Sequence, residues 1–169
     1  MRAFSLLAGQ TGFRNYRLVL VGKPGFGYDE IQSEIEKSPA RNRISMLGFL
    51  SSEDLAKIFS SAMAFVYPSF YEGFGFPILE AMRLGVPVIT SHGTSTGEIA
   101  GGHSLLVDPH LPQSISDGMA RIVESLDLRR EMTLGGYKHS EGFTWAKTAL
   151  SVHEIYRKVI ELSDRHDLG

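Results

Sequence analysis

The stretch MAFVYPSFYEGFGFPILEAMRLGVPVITS, Met63 to Ser91, decides how the rest of the chain is read. Met63 to Tyr67 is a short apolar run closed by Pro68, which has no N–H to give a ladder, so it predicts a buried parallel strand. Ser69 to Gly75 is then a loop holding Gly73, Gly75 and a carboxylate, Glu72. Pro77 suits the first position of a helix, and Ile78, Leu79, Ala81, Met82 and Leu84 carry that helix to Gly85, a residue suited to the position just past a helix end, with Pro87 beyond. Val86 to Thr90 predicts the next strand. The glycine loop therefore falls at a strand's carboxyl end and a helix N-terminus, where α/β sheets bind ligands.

Glu72 lies in the loop and Glu80 about one turn into the helix, with seven residues between them. The N–H groups of Phe74, Gly75 and Phe76, with the partial positive charge of the helix start, suit a phosphate, each ion–dipole contact being worth about 0.3 to 1 kcal/mol. Gly73 and Gly75 allow backbone to approach a ligand closely. A carboxylate accepts well from vicinal hydroxyls, and hydrogen bonds to a charged group contribute about 1.5 to 3 kcal/mol net. A ligand with hydroxyls at both ends and phosphate between them fits this pattern, and a nucleotide-sugar has that outline.

EGFGFPILEAMRLGVPVITS resembles the donor-site signature of the retaining GT-B glycosyltransferases of group 1, family GT4, whose pattern is PS-x-x-EGFG-x-P-x-LEAMA-x-G-x-PV. Arg83 replaces the alanine usual after AM, a change a helix surface accommodates. The resemblance implies transfer of a sugar from a nucleotide-sugar to an acceptor with retention of configuration and without an obligatory metal or other cofactor. It places Glu72 on the sugar hydroxyls as the catalytic-site residue and Glu80 on the ribose. It makes Gly73, Phe74, Gly75, Phe76 and Pro77 donor-binding residues, with the glycine-loop amides on the leaving phosphate. The donor base stays open among UDP, GDP and ADP. A nucleotide-sugar 2-epimerase would keep the fold and change the chemistry, but the EGFG signature favours the transferase.

At 169 residues the chain is long enough for one domain with a full core and too short for two Rossmann-like domains. A net charge of -2 without a basic cluster argues against a nucleic-acid surface. The absence of cysteine excludes disulfides and thiolate metal sites and fits a reducing, cytoplasmic setting. No apolar run approaches the roughly 20 residues of a transmembrane segment.

Taken in order, Ala3, Phe4, Leu6 and Leu7 sit at helical spacing, ended by Gly9 to Gly12. Tyr16 to Val21 predicts a strand, and the loop GKPGFG, Gly22 to Gly27, faces the same sheet edge as the Glu72 loop. Gly22 and Lys23 are thus candidates for the donor phosphate or nucleotide, with a solvated lysine at a turn as the other reading. Asp29 to Lys37 predicts a helix and Arg43 to Leu47 a strand. RISMLGFLSSEDLAKIFSSA is similar to the family's R-V-x-F-L-G-x-V-s-x-x-x-L-x-x-l-y-x-x-A, which implies a base site at Leu47 to Leu50, unless Phe49 simply packs. Ser51 and Asp54 make a capping box ahead of a helix that buries Leu55, Ile58, Phe59 and Ala62.

Ser91 to Gly102 is small and polar, and Thr94, Ser95 and Thr96 are further candidates for the donor, by a weaker resemblance. His92 and His103 invite a catalytic reading, since histidine as a residue type suits proton transfer near neutral pH, but the sequence supplies a partner for neither. Ser104 to Val107 predicts the last strand and Pro112 to Ser125 and Leu126 to His139 two helices. Thr144 caps a long helix whose Trp145, Ala149, Val152, Tyr156 and Val159 form a packing stripe for a core or a domain interface. Ser163 to Gly169 is a polar, frayed tail.

The alternation predicts an α/β domain, a single doubly wound parallel sheet of about five strands with helices on both faces, the Rossmann-like half of a GT-B fold. By resemblance, residues 1–169 are the nucleotide-sugar-binding domain, starting within its first helix. The first strand and the loop with an arginine and a lysine for the diphosphate are expected ahead of Met1, as is an N-terminal domain for a sugar or lipid-linked acceptor. Two readings follow: a transferase donor domain, inactive until joined to the acceptor domain, or a non-catalytic nucleotide-sugar-binding module that needs a partner chain. An unfilled sheet position would also expose an edge for self-association.

Overall fold

The computed structural model describes residues 1–166, so the expected frayed tail lies partly outside the described residues, at 167–169. Its helices and strands follow the expected order: α1 (Arg2–Ala8), β1 (Leu18–Leu20), α2 (Tyr28–Lys37), a 3-10 turn (Arg41–Arg43), β2 (Ile44–Met46), α3 (Ser52–Ser61), β3 (Phe65–Tyr67), α4 (Phe76–Arg83), β4 (Val88–Ser91), α5 (Ser95–Ile99), β5 (Leu105–Val107), α6 (Pro112–Glu124), α7 (Leu126–Ser140) and α8 (Trp145–His166). Arg43 leaves its expected strand because its guanidinium donates to the carbonyls of Phe13 at 2.9 Å, Arg14 at 3.1 Å and Ala8 at 2.8 Å. It thereby ties the loop after α1 to the start of β2.

All strand pairs are parallel, with Leu18 opposite Ile44, Phe65 opposite Val88 and Ile89 opposite Leu105. The α/β architecture is the expected one, but the ladder is divided. β1 pairs with β2 in one sheet and β3, β4 and β5 form another. Between them runs a cleft of about 1700 Å³, bordered by Leu18 to Val21 on one side and Met63 to Tyr67 on the other. This explains why β3, expected to be buried, is half-buried.

β4 is buried at all four positions and separates two cores. Ile89 joins Phe4, Leu7, Val107, Met119 and Ile122 on the face covered by α1 and α6. Val88 joins Phe59, Ile78, Ala81 and Met82 on the other face, under α3 and α4. Successive strand residues point to opposite faces, so one strand nucleates both layers. Burying each large aliphatic side chain in these layers contributes about 1.5 to 3 kcal/mol.

The Ser51 hydroxyl accepts from the Asp54 N–H at 3.1 Å and donates to the Asp54 carboxylate at 2.9 Å, a capping box closed through the hydroxyl. The Lys147 N–H donates to Thr144 Oγ1 at 3.2 Å, the expected cap of α8. The α8 stripe differs from the core reading. Trp145, Val152, Tyr156 and Val159 are all exposed, because α8 extends beyond the two layers. It also continues as helix through Ser163 to His166, where a frayed tail was expected.

Candidate functional site

The glycine loop is built around Glu72. Its Oε1 accepts from the Tyr67 hydroxyl at 2.7 Å and from the Ser69 hydroxyl at 2.8 Å, while its backbone carbonyl accepts from the Ser95 hydroxyl at 2.6 Å. Three hydroxyls from β3, the loop and α5 therefore fix both ends of one residue. Two hydroxyls of β4 hold the segment that carries the donors: Thr90 Oγ1 donates to the Tyr67 carbonyl at 2.9 Å and Ser91 Oγ to the Ser69 carbonyl at 2.6 Å. Thr90 and Ser91 are fully buried, so this support comes from the strand that is buried at every position.

Burial first, then the bond to Glu72 and its negative charge, push the Tyr67 phenol above its ordinary range. The Tyr67 phenol is thereby kept protonated, as the donor to Glu72 Oε1, to higher pH than an ordinary tyrosine. One oxygen of Glu72 is occupied by these hydroxyls, and Oε2 makes no hydrogen bond among the described residues. That is the geometry of a carboxylate held in place to accept from a ligand hydroxyl.

Gly75 is the N-cap of α4, in the left-handed region at φ 105°. A Cβ there would lie 3.3 Å from Thr96 Cγ2 and 3.4 Å from Ile78 Cδ1, so both backbone and space call for glycine. The N–H groups of Phe74, Gly75 and Phe76 have no acceptor among the described residues, and they stand at the positive end of α4. Pro77 is in the first turn, where it costs no hydrogen bond. Gly73 is exposed, with nothing within 4 Å of a Cβ.

Pro77 and Glu80 line the cleft together with Gly22 and Lys23. The structure thus gathers four of the expected site residues along the cleft, two from the loop after β1 and two from α4. The exposed Glu80 carboxylate makes no hydrogen bond or ion pair among the described residues. The Gly22 N–H donates to the Gly48 carbonyl at 2.9 Å, joining the loops after β1 and β2. Lys23 Nζ lies 4.6 Å from the centre of the Phe49 ring, a cation–π contact that also accounts for Phe49. Leu47 does not line the cleft, and its N–H is taken by the Leu20 carbonyl at 3.0 Å; Gly48, Phe49 and Leu50 face the cleft instead.

The threonines after β4 occupy other places. Thr96 is fully buried against Gly75, and its hydroxyl is bonded to that of Thr94 at 2.6 Å. Both act on the loop's shape. His103 packs against His139, whose Nε2 sits 2.7 Å from the Ile99 carbonyl, so this histidine pair braces the turn after α5. Sequence reasoning missed Tyr67, Ser69, Thr90 and Ser91. Their signal was hydroxyl side chains clustered at two adjacent strand ends, where an apolar pattern would otherwise continue.

A parallel α/β domain with a glycine loop and a fixed carboxylate at its strand ends places its candidate ligand site at the carboxyl edge of the sheet. The family profile described as glycosyl transferases group 1 matches residues 1–139, and the chain belongs to that family. It is 36% identical over 157 residues to the O-antigen chain mannosyltransferase B of Escherichia coli, covering 93% of this chain and 41% of that protein. It is 31% identical over 172 residues to the D-inositol 3-phosphate glycosyltransferase of Nocardioides sp., covering 94% of this chain and 38% of that protein. Among solved structures it superposes on the sucrose-phosphate synthase of Thermosynechococcus elongatus with a TM-score of 0.81 at 25% identity, covering 95% of this chain and 42% of that one. Anabaena HepE, solved in complex with UDP and glucose, gives 0.79 at 22% identity over 91% of this chain and 43% of that one. The chain therefore spans about two fifths of these relatives.

Among the described residues no helix is long and apolar enough to cross a membrane.

Proposed function

We propose that this chain is the donor domain of a retaining glycosyltransferase, taking a nucleotide-sugar and presenting its sugar to an acceptor held by another domain. The observation that carries the proposal is Glu72, pinned by the Tyr67 and Ser69 hydroxyls with Oε2 left for a ligand, beside the open N–H groups at the start of α4. Glu72 takes the sugar hydroxyls. The amides of Phe74, Gly75 and Phe76 take the charge that builds on the leaving diphosphate, and one well-placed donor of this kind lowers a barrier by about 2.7 to 4 kcal/mol. Glu80 accepts from the ribose hydroxyls, and the loops at Gly22 to Lys23 and Gly48 to Leu50 flank the nucleotide. Neither glutamate is assigned as a nucleophile.

The test is equilibrium binding of UDP-, GDP-, ADP- and dTDP-sugars to the purified chain, alongside Glu72→Ala and Glu80→Ala. Mannosyl donors belong in the panel, since the Escherichia coli relative is named as a mannosyltransferase. Selective binding of one base, weakened about tenfold or more in both variants, is the expected result, because a hydrogen bond to a charged group contributes about 1.5 to 3 kcal/mol. Binding that neither substitution changes would contradict it. The open cleft beside Glu80 favours a second reading, a module that binds the donor without transferring it; the same chain would then bind donor but release no nucleoside diphosphate with any acceptor domain supplied.

A further inference from the structure

α5 is a strut behind the glycine loop. It has five residues, and a helix that short is marginal on its own, so its place is set by what grips it. Packing against β4 and α4 fixes it sideways. A Cβ on Gly97 would lie 2.9 Å from the Ser91 carbonyl oxygen, so α5 sits directly against the end of β4. Its leading end carries the loop. The Ser95 hydroxyl donates to the Glu72 carbonyl at 2.6 Å, and Thr96 Cγ2 stands 3.3 Å from where a Cβ of Gly75 would be. Its trailing end is held from α7. The Ile99 carbonyl, one of the last-turn acceptors that a helix leaves open, lies 2.7 Å from His139 Nε2. A carbonyl only accepts, so Nε2 carries the proton of this bond.

The imidazole of His139 is confined. Gly101 offers no side chain where the ring packs, since a Cβ there would overlap it. Phe143 meets it edge-on at 5.2 Å and His103 lies at 5.3 Å. His103 in turn fills the space over Gly135, where a Cβ would lie 2.5 Å from its Nδ1. Two histidines and two glycines thus interlock the turn after α5 with α7.

We propose that His139 is a positioning residue of the candidate site: its bond to the Ile99 carbonyl sets α5 along its axis, and α5, through Ser95 and Thr96, sets where Glu72 and Gly75 stand. Its consequence for a ligand rests on Glu72 taking the sugar hydroxyls, as proposed above. Glu80 is carried by α4, which Ile78, Ala81 and Met82 anchor in the core, and the Gly22 to Lys23 loop is tied to Gly48, so the nucleotide end does not depend on this bond. His139 therefore governs the affinity that the sugar adds.

The test compares His139→Leu with His139→Gln. Both are close to histidine in size and both lose the ring contact with Phe143, but Gln keeps an N–H at the place of Nε2, so their difference isolates the bond to Ile99. In the ligand-free, isotope-labelled chain the amides of residues 72–76 and 95–99 are expected to shift in His139→Leu and to return toward wild type in His139→Gln. The Gly22 to Lys23 loop stays unmoved in both. Ser95→Ala removes a single oxygen at the other end of α5 and is expected to shift residues 72–76 in the same way, so the outcome does not hang on His139→Leu folding. Combined with His139→Leu it adds little, since both act along one line. Loop amides that stay in place in either single variant, equal effects of Leu and Gln, or additive effects of His139→Leu and Ser95→Ala would overturn the proposal. The second arm is equilibrium binding of GDP-mannose against GDP and of UDP-glucose against UDP. For a pair that wild type binds, the affinity gained from the sugar is expected to fall at least about threefold in His139→Leu and to recover in His139→Gln, while the nucleoside diphosphate binds as before. Equal losses for the nucleotide-sugar and the diphosphate would mean a general loosening and overturn it as well. A wild type that binds none of the four contradicts the donor reading instead, and the ligand-free comparison then decides by itself whether His139 sets the loop.

Discussion

Replacing Tyr67 by Phe removes one hydroxyl and keeps the ring that stacks on Phe65 at 5.5 Å. The hydroxyl donates to Glu72 Oε1 at 2.7 Å, and a hydrogen bond to a charged group contributes about 1.5 to 3 kcal/mol. The Ser69 hydroxyl still reaches the same oxygen at 2.8 Å and the site is half-buried, so the loss falls at the lower end, about 1.5 kcal/mol. For a chain of this size that lowers Tm by about 3 to 6 °C. Urea unfolding of wild type, Tyr67→Phe, Glu72→Ala and the double variant closes a cycle, with an expected coupling of about 1 to 1.5 kcal/mol. The phenol also has a sign that can be checked. Its pKa is raised on folding, so its contribution is fully present below the ordinary tyrosine value and is lost as pH rises through the higher folded value. Wild type therefore loses stability in alkali that Tyr67→Phe does not lose. Additive single effects within about 0.3 kcal/mol, with equal alkaline slopes, would refute the assignment of Tyr67 as the residue that holds Glu72.

Gly75→Ala places a side chain at φ 105° against Thr96 and Ile78 and is expected to cost about 1 to 3 kcal/mol, read as a lower urea midpoint with an unchanged slope. Arg43→Met leaves the carbonyl at the end of α1 and two in the loop after it without their donor and is expected to cost at least about 2 kcal/mol, with faster amide exchange in residues 8–14. Glu34 is bonded to Arg2 at 2.8 Å, which holds its carboxyl below the usual range. The stabilisation is present above the ordinary carboxylate pKa and is lost as pH falls through the lowered one, so Glu34→Gln flattens the acid limb of a stability curve, and high salt does the same. Trp145 is the chain's one tryptophan and stacks on Phe76 at 6.1 Å, so its fluorescence is expected to change when a donor occupies the loop and to stay constant in Phe76→Ala.

Much of the fold was legible because periodicity and punctuation agreed. Pro68, Pro77 and Gly85 bracket β3 and α4, and Val86 to Thr90 read as the strand that the structure places at Val88–Ser91. The glycine loop was legible because its amides and Gly75 are backbone features that the local sequence dictates. The hydroxyl network was not, since Thr90 and Ser91 reach Tyr67 and Ser69 across 23 and 22 residues, and only the β3–β4 register brings them together. The split of the ladder was equally hidden: each strand was readable alone, whereas pairing depends on what lies between β1 and β3. The same holds for α8, whose helical stripe marks an apolar face without saying whether this chain covers it.

If the glycine loop and the start of α4, from Glu72 to Glu80, grip the donor, the amide resonances of Phe74, Gly75 and Phe76 report it most directly. Titrating the labelled chain with the nucleoside diphosphate of its preferred donor is predicted to shift these three amides together, downfield and saturably, with Glu80 and the Gly22 to Lys23 loop following. Saturable binding that leaves the three amides in place and moves residues elsewhere would contradict the account.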